Sequence, residues 1–362
     1  MKSKKTWFLL SFACILLGTL LSAGGVALGG IPGFYLDRTG IHGSRESARN
    51  SSEIFSDMLE LEDFDRMELD IHDADVTLVP SDRYAVDYRI AGVTEAPVCK
   101  VENGSLIFQD DPSRGDPRLW FLYVGPDASY VQGQNPDPYY VNIEFPADRT
   151  FSEIRIQMES GDLTLPDLSA DTLQVTDEYG DVSLKGFTGQ KLKLSMSSGD
   201  FSAGRLSAVQ AELCNEYGDL SLESYSGDSL SLDTSSSYLT LGDIQAKRFQ
   251  IQNEYGDILI RQVSGDCLTV DQNTGSFLAD RLDVTDTRIR NEYGDVKLRL
   301  AEDSADYGCD LHTGYGFIRV DGRTIPESDD DEEVSYRSVS AGKKSLKISC
   351  ENGGIVVDGP QL

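Results

Sequence analysis

The sequence predicts an all-β protein, a single-stranded parallel β-solenoid in which short strands stack as coils along one axis. Three observations predict this fold: a pentapeptide that returns at a fixed interval, apolar columns with a 19-residue period, and apolar positions spaced two apart within each copy. We expect about 12 coils, since each repeat can bury its apolar face only against neighbouring copies. A right-handed winding is expected, as for parallel crossovers in general.

The pentapeptide NEYGD begins at Asn215, Asn253 and Asn291, and its variant DEYGD begins at Asp177. Their tyrosines recur with a 38-residue period, but half that interval is also occupied. A 19-residue grid carries a glycine at every position but Ser237: Gly161, Gly180, Gly199, Gly218, Gly256, Gly275 and Gly294. We therefore expect one glycine corner in each coil, where the backbone needs a positive φ or a close approach.

Apolar residues fill the positions two and four places after each grid point, from Leu163 and Leu165 to Val296 and Leu298. An i, i+2 spacing is the period of a β-strand, and no interval shows a sustained helical period. A 38-residue coil is the alternative. It is disfavoured because the apolar columns follow the 19-residue period and ignore the longer one.

The N-terminal residues differ in composition from the rest. Three lysines precede an uncharged stretch, Trp7 to Ile31, which as a helix would be roughly 37 Å long and could cross a bilayer. Lysines at this end are expected to stay in the cytoplasm. The predicted segments are a cytoplasmic tip 1–6, a transmembrane signal-anchor 7–31, an extracytoplasmic tether 32–61 and a solenoid 62–362, with strict repeats over 159–301 and insertions at 110–138 and 323–344. A cleaved signal and a secreted product are the alternative.

Charge and motif content limit the function classes. The chain has 32 Lys and Arg residues against 61 Asp and Glu, a formal charge of -29, which argues against nucleic acid as a partner. The three histidines, His42, His72 and His312, are too far apart in the repeat to meet, and no nucleophile or phosphate-binding motif is present. We expect a non-catalytic protein. The alternative is a polysaccharide-active β-helix enzyme, which would cluster acids with basic groups on one outer face.

An aspartate follows most grid positions, which stacks carboxylates about 4.8 Å apart. Such neighbours repel each other by roughly 1 kcal/mol per pair in water. Two arrangements would relieve the repulsion: each carboxylate accepts backbone N–H groups at its turn, or the column binds calcium. The candidate calcium ligands are Asp162, Asp181, Asp200 and Asp219, and no other cofactor is expected.

Five cysteines follow the anchor, and their spacing allows few bridges. The one disulfide worth considering joins Cys309 and Cys350, whose coils are expected to be neighbours. Buried free thiols are the alternative.

The tyrosines of the pentapeptide give the candidate binding residues Tyr179, Tyr217, Tyr255 and Tyr293. Intervening coils carry Ser198, Ser236 and Thr274 at the same position, so rings recur every second coil, about 9.6 Å apart. A packing role would place each ring over a neighbouring hydroxyl. A binding role would use the rings and adjacent carboxylates as a stripe that contacts a polysaccharide. The two ends of the stack, near Met67 and the closing GIVVDGPQL, are expected to be covered or charged.

The chain resembles the bacterial putative-adhesin family of β-strand-repeat proteins, catalogued as a domain of unknown function. The resemblance rests on MELDIHDADVTLVPSD, YYVNIEFPAD, the recurrent SGD and YGD coils, and ISCENGGIVV, and covers 62–362. It implies a β-solenoid on the outer face of a bacterial cell. The expected partner is a glycan or protein of the envelope or of a host surface, which the sequence does not identify, and the role is adhesion or envelope stress. It implies no catalytic residues.

Overall fold

The computed structural model describes residues 34–37, 40–43, 54–91, 96–110, 139–326, 333–340 and 343–360. They form 24 β-strands and one short 3-10 turn, Ser304–Asp306, so the predicted all-β class is confirmed. None of the described residues belongs to a helix that could span a membrane. The predicted cytoplasmic tip and signal-anchor, and nearly all of the insertion 110–138, lie outside the described residues.

The strands before the regular repeats are short. They are β1 (Phe34–Asp37), β2 (Gly40–Gly43), β3 (Ile54–Glu60), β4 (Arg66–Asp73), β5 (Asp75–Ser81), β6 (Ala85–Ala91), β7 (Val98–Glu102), β8 (Ser105–Gln109), β9 (Tyr140–Pro146) and β10 (Thr150–Ser160). The strands of the regular repeats are longer and all of one length: β11 (Leu163–Tyr179), β12 (Val182–Ser198), β13 (Phe201–Tyr217), β14 (Leu220–Ser236), β15 (Leu239–Tyr255), β16 (Ile258–Thr274) and β17 (Phe277–Tyr293). The closing strands are β18 (Val296–Leu300), β19 (Tyr307–Tyr315), β20 (Ile318–Val320), β21 (Arg323–Thr324), β22 (Val334–Arg337), β23 (Lys344–Asn352) and β24 (Ile355–Asp358).

The regular repeats stack as predicted. Each of β11 to β16 pairs in parallel with the next strand in a constant 19-residue register, for example Leu163 with Val182. One 17-residue strand and a two-residue corner therefore make one coil, and a 38-residue coil is excluded. The apolar columns point inward: Leu163, Leu220 and Phe277 are fully buried. The core is a continuous apolar stack along the axis, as the i, i+2 spacing predicts.

The order of coils at the N-terminal end differs from the order in the sequence. Strands β4 and β5 pair in parallel with β10 and β11 on one side and with β8 and β9 on the other. The first coil of the chain is therefore second in space, and the coil formed by β8 and β9 lies outside it.

The same inversion occurs at the C-terminal end. The last strands of the chain, β23 and β24, pair with β17 and β18 on one side and with β19 and β20 on the other. The coils that contain Cys309 and Cys350 are neighbours, as expected, but the later of the two in the chain is the inner one. At each end, the terminal coil of the chain lies between two others.

Both outer coils are covered by antiparallel strands. At the N-terminal end β7 pairs with β8, β6 with β9, and β3 with β6; at the C-terminal end β22 pairs with β19 and β21 with β20. Antiparallel additions of this kind protect a sheet edge that would otherwise recruit another chain. The ends are covered as expected, although they are not the coils of Met67 and GIVVDG. Strand β3, which joins the sheet of the coils by pairing with β6, lies within the segment predicted as the tether.

Candidate binding surface

The glycine corner is the local feature that holds each coil on the next. Glycines on the grid have φ between +111° and +158°, a region that other residues avoid. Space excludes a side chain as well: a Cβ on Gly199 would lie 1.9 Å from the carbonyl oxygen of Gly180 in the preceding coil. The corner therefore requires glycine both for its backbone conformation and for close stacking.

The asparagine of NEYGD stabilises this corner from inside. Asn215 is buried, and its side-chain Nδ2 donates to the carbonyl oxygen of Gly218 in its own coil at 3.2 Å and to that of Gly199 in the preceding coil at 3.0 Å. Asn253 and Asn291 make the equivalent pair of bonds. Each asparagine thus gives two carbonyl groups of the corner a side-chain donor.

Asp177 occupies this position in the first copy and cannot do the same. It is 1% exposed, and neither of its carboxylate oxygens has a partner in hydrogen-bonding geometry. Burial raises its pKa to about 6, against a smaller opposing effect of the nearby backbone amide of Tyr179, and the carboxylates of Asp162 and Asp181 add to the rise. This carboxyl cannot donate to the carbonyl groups of the corner as asparagine does, so it is a local weak point of the column.

The aspartate column forms a hydrogen-bonded ladder on the outside of the corner. Oδ1 of each aspartate accepts the backbone N–H at the equivalent position of the next coil: Asp162 from Asp181 at 3.0 Å, Asp181 from Asp200 at 2.8 Å, and Asp200 from Asp219 at 2.8 Å. Asp219 accepts from Tyr238 at 3.1 Å. The ladder begins at Asp75, before the strict repeats, and includes Asp257 and Asp295.

This ladder is the first of the two arrangements predicted for the column. Each carboxylate has one oxygen occupied by a neighbouring amide. Among the described residues, no group of three or more His, Cys, Asp or Glu side chains converges in a way that could hold a metal ion.

The tyrosines lie on the outer surface next to the corner. Tyr179, Tyr217, Tyr255 and Tyr293 are 61%, 58%, 56% and 52% exposed. The register alternates them with the small residues Ser198, Ser236 and Thr274, coil by coil. A ring that packs flat over a neighbouring hydroxyl is covered on one face only. These exposures are therefore compatible with packing, and they leave the other face of each ring accessible to a ligand.

A fifth tyrosine continues the alternation. Tyr293 pairs with Asn352, and Asn352 pairs with Tyr315, which is 62% exposed. The inverted order of the C-terminal coils brings Tyr315 into this place, so the 38-residue interval in the sequence could not reveal it. We call the five residues Tyr179, Tyr217, Tyr255, Tyr293 and Tyr315 the aromatic row.

Among the residues whose side chains are described, exposed aromatic side chains lie only at this edge. Seven aromatic residues of the described part of the chain are exposed: the aromatic row together with Tyr238 and Phe317, which lie on the aspartate side of the corner. Glutamates precede the first four tyrosines of the row at Glu178, Glu216, Glu254 and Glu292. The edge therefore offers regularly spaced rings between two acidic columns.

The candidate disulfide is not brought together. Cys309 and Cys350 are buried free thiols on the paired strands β19 and β23, but Cys309 lies opposite Leu346 and Cys350 lies opposite Thr313. Four strand positions separate them, about 13 Å, which is beyond the reach of a disulfide. Cys350 instead occupies the inner column beside Asn291, where its Sγ contacts the carbonyl oxygen of Gly294 at 3.3 Å.

A shallow groove of about 550 Å³ on another face bears on the enzyme alternative. Asp167, Arg205 and Asp243 line it, at equivalent positions of alternate coils. The two aspartates are four coils apart, about 19 Å, whereas the two carboxyl groups of a glycosidase lie within roughly 5–9.5 Å of each other. Both also form ion pairs, Asp167 with Lys185 at 2.7 Å and Asp243 with Arg261 at 2.9 Å. His72 and His312 lie near opposite ends of the stack, on β4 and β19.

These features define an elongated β-repeat protein whose candidate site is an exposed edge. The chain belongs to the Toastrack DUF4097 family, whose model matches residues 64–228 and 190–358. The resemblance to a bacterial putative-adhesin family of unknown function is thereby confirmed. No curated protein matches the chain.

Several solved bacterial structures are similar to the chain at low sequence identity. One, described as a putative adhesin from Parabacteroides merdae ATCC 43184, has 11% identity and a TM-score of 0.43, covering 69% of this chain and 94% of that one. Another, described as a putative lipid binding protein from Parabacteroides distasonis ATCC 8503, has 12% identity and a TM-score of 0.42, covering 85% of this chain and 98% of that one. A putative adhesin from Bacteroides fragilis NCTC 9343 has 11% identity and a TM-score of 0.35, covering 86% and 99%. The family assignment rests on the sequence match.

Proposed function

We propose that this chain is a non-catalytic binding protein of the bacterial cell surface, and that the aromatic row contacts carbohydrate of the envelope or of a host surface. One observation carries the proposal: five tyrosines, each more than half exposed, stand at every second coil along one edge. Exposing so many rings in one line is unfavourable for a protein that buries apolar area where it can. A ligand that covers them explains their position.

Carbohydrate suits this edge better than an apolar partner. A tyrosine ring offers an apolar face to the C–H groups of a sugar, and its hydroxyl group can hydrogen-bond. The neighbouring carboxylates, such as Glu216 and Glu254, are exposed and can accept hydrogen bonds from sugar hydroxyls. A partner protein with an apolar surface would leave these carboxylates without donors at the interface.

The geometry of the groove supports a binding role without catalysis. Its carboxylates are too far apart to act as an acid and base pair on one glycosidic bond, and each already faces a cation. Surface display is expected from the uncharged stretch 7–31 after the N-terminal lysines. Fractionation of cells distinguishes a retained anchor, which leaves the chain in the membrane, from a cleaved signal, which releases it.

Replacing all five tyrosines of the row by serine tests the proposal. The measurement is binding of the full chain to polysaccharide isolated from the cell envelope and from host surfaces, with circular dichroism as the control for folding. We expect the variant to remain a folded β protein and to lose most of its binding. Unchanged binding by the folded variant would contradict a carbohydrate site on this edge.

A further inference from the structure

The spacing and charge of the aromatic row select a class of glycan, an inference that rests on the proposed function. We propose that the row binds a neutral, extended, β-1,4-linked polysaccharide, of the kind built from glucose or N-acetylglucosamine, with the polymer lying parallel to the solenoid axis.

The repeat length follows from the alternation in the register. Tyrosines are separated by one small residue, Ser198, Ser236, Thr274 or Asn352, throughout the row. Two strand spacings give about 9.6 Å between successive rings and about 38 Å from the first ring to the fifth.

This interval is close to the disaccharide repeat of an extended β-1,4-linked chain. In such a chain each sugar is turned over relative to the one before, so the same face recurs at every second sugar. A polymer in register with the row can therefore present one equivalent sugar face to each tyrosine. Five weak contacts then act together, because each contact made holds the next sugar at a high local concentration.

The intervening residues are compatible with this geometry. The sugars between the rings lie over hydroxyl or amide side chains, which can hydrogen-bond to their outward groups. An α-1,4-linked glucan coils instead of extending, so only short stretches of it could follow the row.

The carboxylates on both sides of the aromatic row favour a ligand without negative charge. Glu178, Glu216, Glu254 and Glu292 run along one side of the rings, and the aspartate ladder runs along the other. Among the described residues, the Lys and Arg side chains close to the row lie at its C-terminal end. There Arg290 pairs with Glu292 at 3.1 Å, and Lys297 pairs with Asp295 at 3.0 Å. Uronate or sulfated polymers would place like charges against these carboxylates, which is costly. A neutral polymer brings only hydroxyl or amide donors.

The experiment compares three soluble polymers by affinity electrophoresis of the full chain. Hydroxyethylcellulose is the neutral β-1,4-linked probe, carboxymethylcellulose has the same backbone with negative charges, and soluble starch is neutral but α-1,4-linked. We expect retardation by hydroxyethylcellulose, and at least tenfold weaker retardation by the other two.

Matched variants test the register. Tyr255→Ser removes the middle ring and should weaken binding about three- to tenfold. Tyr238→Ser removes a ring of similar exposure, 60%, that lies off the row, and should have less than a twofold effect. The double change Tyr255→Ser with Thr274→Tyr keeps the number of rings but moves one by a single coil. It should bind as weakly as Tyr255→Ser.

Each result has a distinct meaning. Equal retardation by starch or carboxymethylcellulose, or full recovery of binding in the double variant, would overturn the proposed glycan class and leave a carbohydrate site in place. If none of the three polymers binds while the five-tyrosine variant still loses binding to envelope polysaccharide, the glycan class is again wrong and the proposed function stands. If the five-tyrosine variant loses nothing, both are wrong.

Discussion

Tyr315 stands two coils from Tyr293, with only Asn352 between them. In the sequence, fewer than 38 residues separate Tyr293 from Tyr315, so the 38-residue interval does not relate them. They are aligned because β23, the last long strand of the chain, inserts between β17 and β19. The inversion of the end coils therefore extends the aromatic row by one ring. The order of the coils at the C-terminal end thus sets the length of the candidate binding surface.

Alanine at Gly199 should destabilise the protein strongly. The new Cβ would lie 1.9 Å from the carbonyl oxygen of Gly180, at a φ of +121°. We expect a loss of about 3 kcal/mol in the free energy of unfolding, from steric overlap and backbone strain together. Gly322→Ala is the matched control, because Gly322 has a φ of +73° but no atom within 4 Å of a new Cβ. It should cost only about 1 kcal/mol. Equal losses in urea denaturation would show that stacking contact does not matter at the corner.

Asp177→Asn should stabilise the protein in a pH-dependent way. The folded-state pKa of Asp177 is raised to about 6 from 3.8, so the folded state binds more protons than the unfolded state between these values. Stability therefore falls as pH rises from about 4 to about 6, and the full penalty, at most roughly 3 kcal/mol, is present above that range. Asparagine carries no charge and can donate to the carbonyl groups of Gly161 and Gly180, as Asn215 does in its own coil.

We expect the variant to unfold at a higher temperature than the parent at pH 8, and at a similar temperature below pH 4. The reciprocal change, Asn215→Asp, should create a new penalty above pH 6. A difference between parent and Asp177→Asn that stays constant from pH 4 to pH 8 would contradict the titration of a buried carboxyl.

Monovalent salt should stabilise the protein by screening the aspartate ladder, and calcium should add little beyond the effect of its ionic strength. Adjacent carboxylates repel each other by roughly 1 kcal/mol in water, and monovalent salt screens that repulsion. Since each Asp has one oxygen on a backbone amide, we expect calcium to add little when ionic strength is held constant. Differential scanning calorimetry with sodium chloride and with calcium chloride at matched ionic strength measures this. A large extra rise in melting temperature with calcium would instead support ion binding by Asp162, Asp181, Asp200 and Asp219.

Deleting residues 343–362 should remove more than one coil from the fold. Strands β23 and β24 lie between β17–β18 and β19–β20, so their loss leaves the outer coil without its parallel partner. Limited proteolysis followed by mass spectrometry should then yield a protected fragment that ends near residue 300. A chain shortened after Pro360, which keeps every strand, is the control. Protection extending to residue 340 in the deletion variant would mean that β19 and β20 can pair directly with β17 and β18.

The sequence predicts the regular part of this fold well, because stacking in register forces each column to keep one residue type. Periodicity assigns Leu163, Gly199 and Asp200 each to a column, and the structure places each one in that column. The sequence does not predict the order of the end coils, because the residue pattern of β23 fits equally well beside β17 and beside β19. The inner role of Asn215 is only partly visible in the sequence: NEYGD repeats its asparagine every 38 residues, but the repeat does not show that the side chain donates to two backbone carbonyl groups. Tyr315 could not be assigned to the aromatic row from the sequence, because its place in the row depends on the order of the end coils.

The inverted end coils also have a mechanical consequence. Tension applied through the N-terminal segment reaches β3 and then β4, which is bonded to parallel strands on both sides. Withdrawing β4 requires two ladders to fail together, whereas an outermost strand could be peeled away one bond at a time. The proposed function would load the chain in this way, since the predicted anchor lies at its N-terminal end. The inserted coil would then resist the load at the end where it enters.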